Sequence, residues 1–358
     1  MAFIARSTLY DAPGGDTIQL LETARQLRAL GVEVNVHLTT EHIAYRQYDL
    51  FHFSNLTRPA DILSHLDKIK KPFTVSPLLI DYSEYDHHQR RGISGLVLRQ
   101  FPGSMNEYIK TIARWLSNKD ALPAKSYLWK GQNRSIREVL ERAAWILPNS
   151  TTEYEALSKQ YQINKKYSVV PNGIDAEVFS ASEKNLQKDN LLVICAARIE
   201  GIKNQLNLIR ALNNTRFTLM LIGSAAPNQQ SYYEECKQIA ASNIVFKDRV
   251  TQSVLSQYYS SAKVHVLPSW FETCGLSSLE AAAMGCNIVV TRKGYTSDYF
   301  GDDAFYCNPG DPASILEAVE TASISPLSVA LQEKIFTKYT WQQAAVITLN
   351  AYNQIISA

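Results

Sequence analysis

Short apolar runs alternate with amphipathic stretches along almost all of this 358-residue chain, and that alternation limits the fold more than any other feature. The first run is Phe3-Ile4-Ala5. The loop Asp11-Ala12-Pro13-Gly14-Gly15 separates it from a helical pattern opening at Asp16. There Leu20, Leu21, Ala24, Leu27 and Leu30 recur at three- and four-residue spacing. Asp16 and Gln19 read as a capping pair, and Gly31 as the stop. Residues 32–38 then alternate as a strand, which completes a βαβ unit. Further strands are expected at 50–53, 73–75 and 144–147.

A polar, lysine-rich stretch, 176–190, reads as a linker, and beyond it the alternation restarts. Strands are expected at 191–196, 217–222, 244–246, 264–267 and 288–290. Helical patterns separate them at 205–212, 230–241, 253–260 and 277–284, and an amphipathic helix over 341–356 closes the chain. Such alternation implies parallel sheets covered on both faces. At roughly 150 residues per domain, the length suits two. The expected division is 1–178, on the acceptor side and joined by helix 341–358, and 188–340, on the donor side.

Composition removes several classes of function. A formal net charge of +2 lacks the excess of cations that a nucleic-acid binder carries. The five cysteines are scattered and form no Cys-x-x-Cys pair, so neither a zinc site nor a disulfide framework is indicated. Reduced thiols suit the cytoplasm. No apolar run approaches the ~20 residues that span a bilayer. Residues 87–119 are distinctive: six cations, Arg90 and Arg91 among them, face the carboxylate Glu107 and are interleaved with Leu, Ile and Trp. That mixture suits an acceptor-side or membrane-facing surface, and equally a solvated basic face.

In open α/β sheets, ligands sit at the carboxyl ends of strands. Gly14 and Gly15 lie in such a loop, at a helix start that favours anions. The nicotinamide fingerprint Gly-x-Gly-x-x-Gly is absent there. Arg198 and Lys203 follow the strand at 191–196, where two cations can hold a diphosphate. Glu272 and Glu280 flank the helix start Gly275-Leu276-Ser277, and carboxylates can accept hydrogen bonds from sugar hydroxyls. Asp302-Asp303 reads as a turn, and no metal cluster is expected.

Three segments in order carry a resemblance: Val-Pro-Asn-Gly-Ile-Asp from Val170, with Phe179; Ala-Arg-Ile-Glu-Gly-Ile-Lys-Asn-Gln from Ala197; and Phe-Glu-Thr-Cys-Gly-Leu-x-x-Leu-Glu-Ala from Phe271. They resemble the large retaining glycosyltransferase family of the GT-B fold, group 1 or family 4, which includes bacterial polysaccharide glycosyltransferases. The likeness covers about 144–312. It implies an α/β chain of two Rossmann-like domains facing across a cleft, the C-terminal helix crossing back to the first.

The implied chemistry is transfer of a sugar from a UDP- or GDP-type donor to a saccharide or lipid-linked saccharide, without metal or cofactor. It implies that Arg198 and Lys203 bind the diphosphate, Glu272 the sugar hydroxyls and Glu280 the ribose. Cys274, Gly275, Leu276 and Ser277 would line the donor site, Gly15 would approach from the first domain, and Gly14, Ser76, Arg90 and Arg91 would lie on the acceptor side. Many relatives carry a His where Ser76 stands, and His52 is the nearest candidate to replace it. The thiols, the basic stretch 87–119 and the low net charge together lead to the expectation of a cytoplasmic protein with peripheral contact at the inner face of the membrane and no nucleic-acid partner. The rival readings are a nucleotide-sugar-binding protein with impaired activity and another GT-B enzyme, such as a sugar-nucleotide epimerase.

Overall fold

The computed structural model describes residues 1–88, 103–116, 124–180 and 188–357. It divides into two compact units. The first holds Met1–Asp86, the described residues from 103 to Asn172, and the C-terminal segment from Trp341. The second holds Gly173–Thr340. Arg90 and Arg91 lie outside the described residues, as does much of the basic stretch 87–119.

In the first unit, strands β1 (Ala2–Ala5), β2 (Asn35–Leu38), β3 (Phe51–Ser54), β4 (Phe73–Ser76) and β5 (Trp145–Ile146) form a parallel sheet in the order β2-β1-β3-β4-β5. Its central strands are apolar and buried on both faces because helices cover both. Phe51, Phe53 and Val75 anchor the core, and each fully buried side chain of this kind stabilises the unit by about 1.5–3 kcal/mol.

Helix Gly15–Ala29 buries Leu20, Ala24 and Leu27, as the spacing predicts. Thr23 takes the place expected of the exposed Leu30, because this face packs on the C-terminal helix Trp341–Ile356. The cap also differs from expectation. Gly14 is the N-cap, and the Thr17 hydroxyl accepts its N–H at 3.2 Å. Asp16 instead pairs with Arg6 at 2.7 Å, and Gln19 bonds Asn149 at 2.8 Å.

In the second unit, β6 (Asp189–Ala196), β7 (Thr218–Ile222), β8 (Ile244–Lys247), β9 (Ala262–Leu267), β10 (Asn287–Thr291) and β11 (Phe305–Cys307) form a parallel sheet in the order β11-β10-β9-β6-β7-β8. Asp189 and Asn190, expected in the linker, already belong to β6. Strand β11 and helices Pro312–Ile324 and Val329–Lys338 complete the unit without having been foreseen. All five cysteines are buried and unbridged.

Each sheet has one place where the strand order reverses. In the first it lies between β1 and β3, and in the second between β6 and β9. Loops leaving such a pair diverge, and a crevice opens at their carboxyl ends.

Candidate active site

The crevice of the second unit is built by the loops after β6 and β9, which carry Arg198, Lys203 and Glu272. After β6 the chain makes a short turn, Gly201–Lys203, and enters helix Gln205–Leu212 through Asn204. Asn204 donates from Nδ2 to Pro268 O at 3.0 Å and to Pro309 O at 2.7 Å. One buried amide thereby ties three strand-end loops together. The buried Gln205 donates to Arg198 O at 2.9 Å and holds the first of those loops against its helix.

Lys203 Nζ lies 2.6 Å from Glu272 Oε2, and the Ser269 hydroxyl donates to the same oxygen at 3.1 Å. Burial alone would lower the Lys203 ammonium, but Glu272 and Glu200 outweigh it and hold it above its usual value. Lys203 is therefore a fixed positive charge at neutral pH. Arg198 is more exposed, and its guanidinium donates to Glu200 Oε1 at 2.9 Å.

Two glycines fit beneath these loops where no other residue would. Gly294 has φ +103°, and a Cβ there would lie 2.1 Å from Glu272 O. Gly223 has φ +152°, and its Cβ would lie 2.0 Å from Ala197 O. Gly294 backs the carboxylate loop, and Gly223 backs the loop of Arg198.

Gly275 caps helix Leu276–Ala283, and a helix start leaves N–H groups without intrahelical partners. Cys274 is buried just before it, while Leu276 and Ser277 are half-buried. Glu280, on the same helix, accepts from Gln252 Nε2 at 3.3 Å, and burial pushes its carboxyl up to about 8. Glu272 and Glu280 thus differ in kind: one is matched by a fixed ammonium, the other is held by a neutral amide.

In the first unit, Gly14 and Gly15 sit at the helix start after β1. His52 and Ser76 lie on adjacent strands and are both buried. His52 Nε2 is 2.8 Å from Ser76 Oγ, and His52 Nδ1 is 2.6 Å from Tyr352 OH, on the C-terminal helix. Burial pushes the imidazole down to about 3, so it is neutral, with one ring nitrogen donating and the other accepting. Both nitrogens are engaged within the unit. Among the described residues of the basic stretch, Lys110 is matched by Asp86 at 2.7 Å and by Glu107 at 2.8 Å.

The roles of several residues here were not foreseen. Gly223, Gly294 and Tyr352 lie outside the three segments, and Asn204 and Gln205, which end the second segment, act there through partners that no local spacing reveals. Arg6 could have been suspected from its place at the end of β1.

Residues 190–323 match the family described as glycosyl transferases group 1. A D-inositol 3-phosphate glycosyltransferase of Paenarthrobacter aurescens (strain TC1) is 25% identical over 306 residues, covering 76% of this chain and 72% of that protein. Sucrose-phosphate synthase from Thermosynechococcus elongatus superposes with a TM-score of 0.75 at 15% identity, covering 100% of this chain and 99% of that one. Anabaena HepE in complex with UDP does so with a TM-score of 0.70 at 15% identity, covering 99% of each chain. Sheets, strand-end loops and relatives make this chain a glycosyltransferase of the GT-B fold. It transfers a sugar from a nucleotide donor.

Proposed function

We propose that the chain moves a hexosyl group from a nucleoside diphosphate donor to a saccharide or glycolipid acceptor with retention of configuration, in bacterial surface polysaccharide synthesis. The observation that carries this reading is the Lys203–Glu272 pair at the crevice between β6 and β9. A fixed cation and a carboxylate stand side by side, one suited to the diphosphate and the other to the hydroxyls of the sugar attached to it. Arg198, at the mouth of the same loop, supplies a second cation.

As the glycosidic bond to the phosphate breaks, full negative charge develops on the leaving diphosphate. Preorganised cations and helix N–H groups stabilise that charge more than they stabilise the ground state. The departing phosphate accepts the acceptor's proton on the face it leaves, which is the route to retention. His52 then serves as a strut for the first unit and takes no part in proton transfer. Glu280 accepts from the ribose. The site works without a metal ion.

The acceptor side is the first unit, and the enzyme acts at the cytoplasmic face of a membrane. Among the described residues, no single helix is long and apolar enough to cross a bilayer.

The test is product analysis with donors radiolabelled in the sugar, UDP- and GDP-linked in turn. A labelled glycoside with the donor's anomeric configuration supports the reading. An inverted product overturns retention, an epimerised nucleotide sugar identifies an epimerase, and nucleotide binding without product identifies a binding protein.

A further inference from the structure

One buried carboxylate ties strand ends of the first unit together and has no part in the transfer chemistry above. Glu153 is the third residue of helix Thr151–Tyr161, whose N-cap is Ser150. A glutamate at that place ordinarily turns back to the N–H of the cap residue. Glu153 reaches further. It is fully buried, Oε2 accepts from Asn149 N–H at 2.5 Å, and Oε1 accepts from Leu79 N–H at 2.7 Å, 74 residues away along the chain. The loops after the neighbouring strands β4 and β5 therefore meet on one side chain. Asn149 in turn exchanges hydrogen bonds with Gln19, at 2.8 and 3.2 Å, which brings in helix Gly15–Ala29.

The loop after β4 needs holding. Ser76 O and Pro77 O accept from Asn55 N–H at 2.9 Å and from Leu56 N–H at 2.8 Å, which fixes its near end. Leu78 follows with φ +49° and a buried side chain, in the left-handed region that residues other than glycine seldom enter. Such a conformation persists only where its surroundings over-determine it, and such places gather at functional sites. The bond from Leu79 to Glu153 is the anchor on the far side of Leu78. Beyond it the chain runs into helix Ser83–His88, where the basic stretch 87–119 begins.

Stability alone would not choose a carboxylate here. Burial pushes the Glu153 carboxyl up to about 7, against the pull of its two N–H donors. A folded value above the unfolded one stabilises the fold fully below about 4.5, and this contribution is lost as pH rises to about 7. The fold thus carries the ionised form at a cost, for two bonds that only the ionised form accepts in full. Among the described residues, no charged group offsets that cost. The loop after β5 and helix Gly15–Ala29 present the neutral Asn149 and Gln19, and Asp81 of the held loop acts on Tyr161. Helix Lys125–Arg142 pairs Arg137 with Glu141 and Arg142 with Asp67.

We infer that Glu153 is a positioning residue for acceptor binding: its ionised carboxylate holds the loop after Ser76 in place, and protonation lets that loop go. The inference rests on the transferase reading and adds to it a residue that touches no substrate.

The test uses the full chain. Hydrogen exchange, corrected for its intrinsic pH dependence, follows the Leu79 amide from about pH 5.5 to 8.5 in the wild type, Glu153→Gln and Ser150→Ala. Acceptor KM is measured over the same range at saturating donor. The donors are radiolabelled UDP- and GDP-linked hexoses, and the acceptors are octyl glucoside, galactoside and mannoside. Calorimetry follows UDP and GDP. Protection of Leu79 should rise about tenfold as pH increases through 7, the worth of one hydrogen bond to a charged acceptor, and acceptor KM should fall in step while kcat stays within about twofold. Glu153→Gln keeps the shape but sets an amide donor against one of the two N–H groups. It should be flat at the low-pH level in both readouts, with nucleotide affinity unchanged. Ser150→Ala removes the cap bond to Glu153 N–H and should lower stability while both pH profiles persist. Three results overturn the positioning role: wild-type protection of Leu79 that ignores pH, a Glu153→Gln profile like that of the wild type, or a variant that loses protection yet keeps the wild-type KM at pH 8.5. If Glu153→Gln does not fold, the wild-type profile decides. Nucleotide binding without transfer to any glycoside would strike at the transferase reading, and the exchange profile would then decide the role of Glu153 alone.

Discussion

Glu280 and Glu272 show how burial divides two carboxylates of one site between two tasks. Glu272 faces an ammonium at 2.6 Å, while Glu280 accepts from the amide of Gln252 and burial raises its carboxyl to about 8. Ribose hydroxyls donate to an ionised carboxylate better than to a neutral one. Nucleotide affinity should therefore rise as pH increases through 8, and binding near neutral pH should release a proton. The stability of the unliganded protein runs the other way. A carboxyl whose folded value lies above its unfolded value stabilises the fold fully below about 4.5, and this contribution is lost between there and about 8. Glu280→Gln should flatten the pH dependence of nucleotide binding, weaken binding at pH 8.5, and make the free protein more stable than the wild type at that pH but not at pH 4.5. Calorimetry and urea unfolding across this range check both signs. An unchanged affinity profile would remove Glu280 from the nucleotide site.

At the scale of elements, Gly294 and the C-terminal helix are the exposed joints of the design. Gly294→Ala places a Cβ against Glu272 O at a positive φ, a strain of about 1–3 kcal/mol that the Glu272 loop can relieve only by moving. Turnover should fall more than melting temperature suggests, because the carboxylate leaves its place beside Lys203. Tyr352→Phe leaves a buried His52 nitrogen without its partner and should cost about 1–3 kcal/mol of stability in urea unfolding, with turnover per folded molecule little changed. A large loss of turnover at full stability would restore His52 to a direct role.

Elements with a clean period were legible. Helices Gln205–Leu212 and Trp341–Ile356 appear with the expected bounds, since each shows an apolar face against polar positions. Strand β11, three residues long, and helix Pro59–Leu66, which opens on proline, were too short to show a period. The Asp16 cap was misread because Arg6, ten residues upstream, claims that carboxylate, and a local spacing rule carries no term for such a partner. Arg198, Lys203, Glu272 and Glu280 were legible as motif residues. The supporting roles of Asn204 and the two glycines were not, because they rest on contacts between loops far apart in sequence.

For the whole molecule, the two sheets share one architectural rule. Each places polar residues beside the point where the strand order reverses: Arg198, Lys203 and Glu272 in the second, His52 and Ser76 in the first. The basic helix Gly103–Leu116 bears on where the enzyme works. Exposed Met105 and Leu116 accompany its cations, although Lys110 is already neutralised by Asp86 and Glu107. Vesicle flotation should show binding to anionic lipid that weakens with salt, by the screening of surface charges over about 10 Å at 0.1 M. Flotation that is absent, or indifferent to salt, would leave this helix an acceptor role alone.

The central claim is that fixed cations, and not a side-chain base or a metal ion, stabilise the departing diphosphate. The most direct measurement is the rate of sugar transfer from a labelled donor in the presence of EDTA, for the wild type, Lys203→Ala and Ser76→Ala. The account predicts full wild-type activity under chelation and a loss of about 10²–10³ in Lys203→Ala, the usual cost of removing a preorganised charge-stabilising group. Ser76→Ala should stay within about tenfold of wild type, since only a hydrogen bond to His52 is lost. Activity abolished by EDTA and restored by magnesium or manganese would contradict the account, and so would a Ser76→Ala loss equal to that of Lys203→Ala.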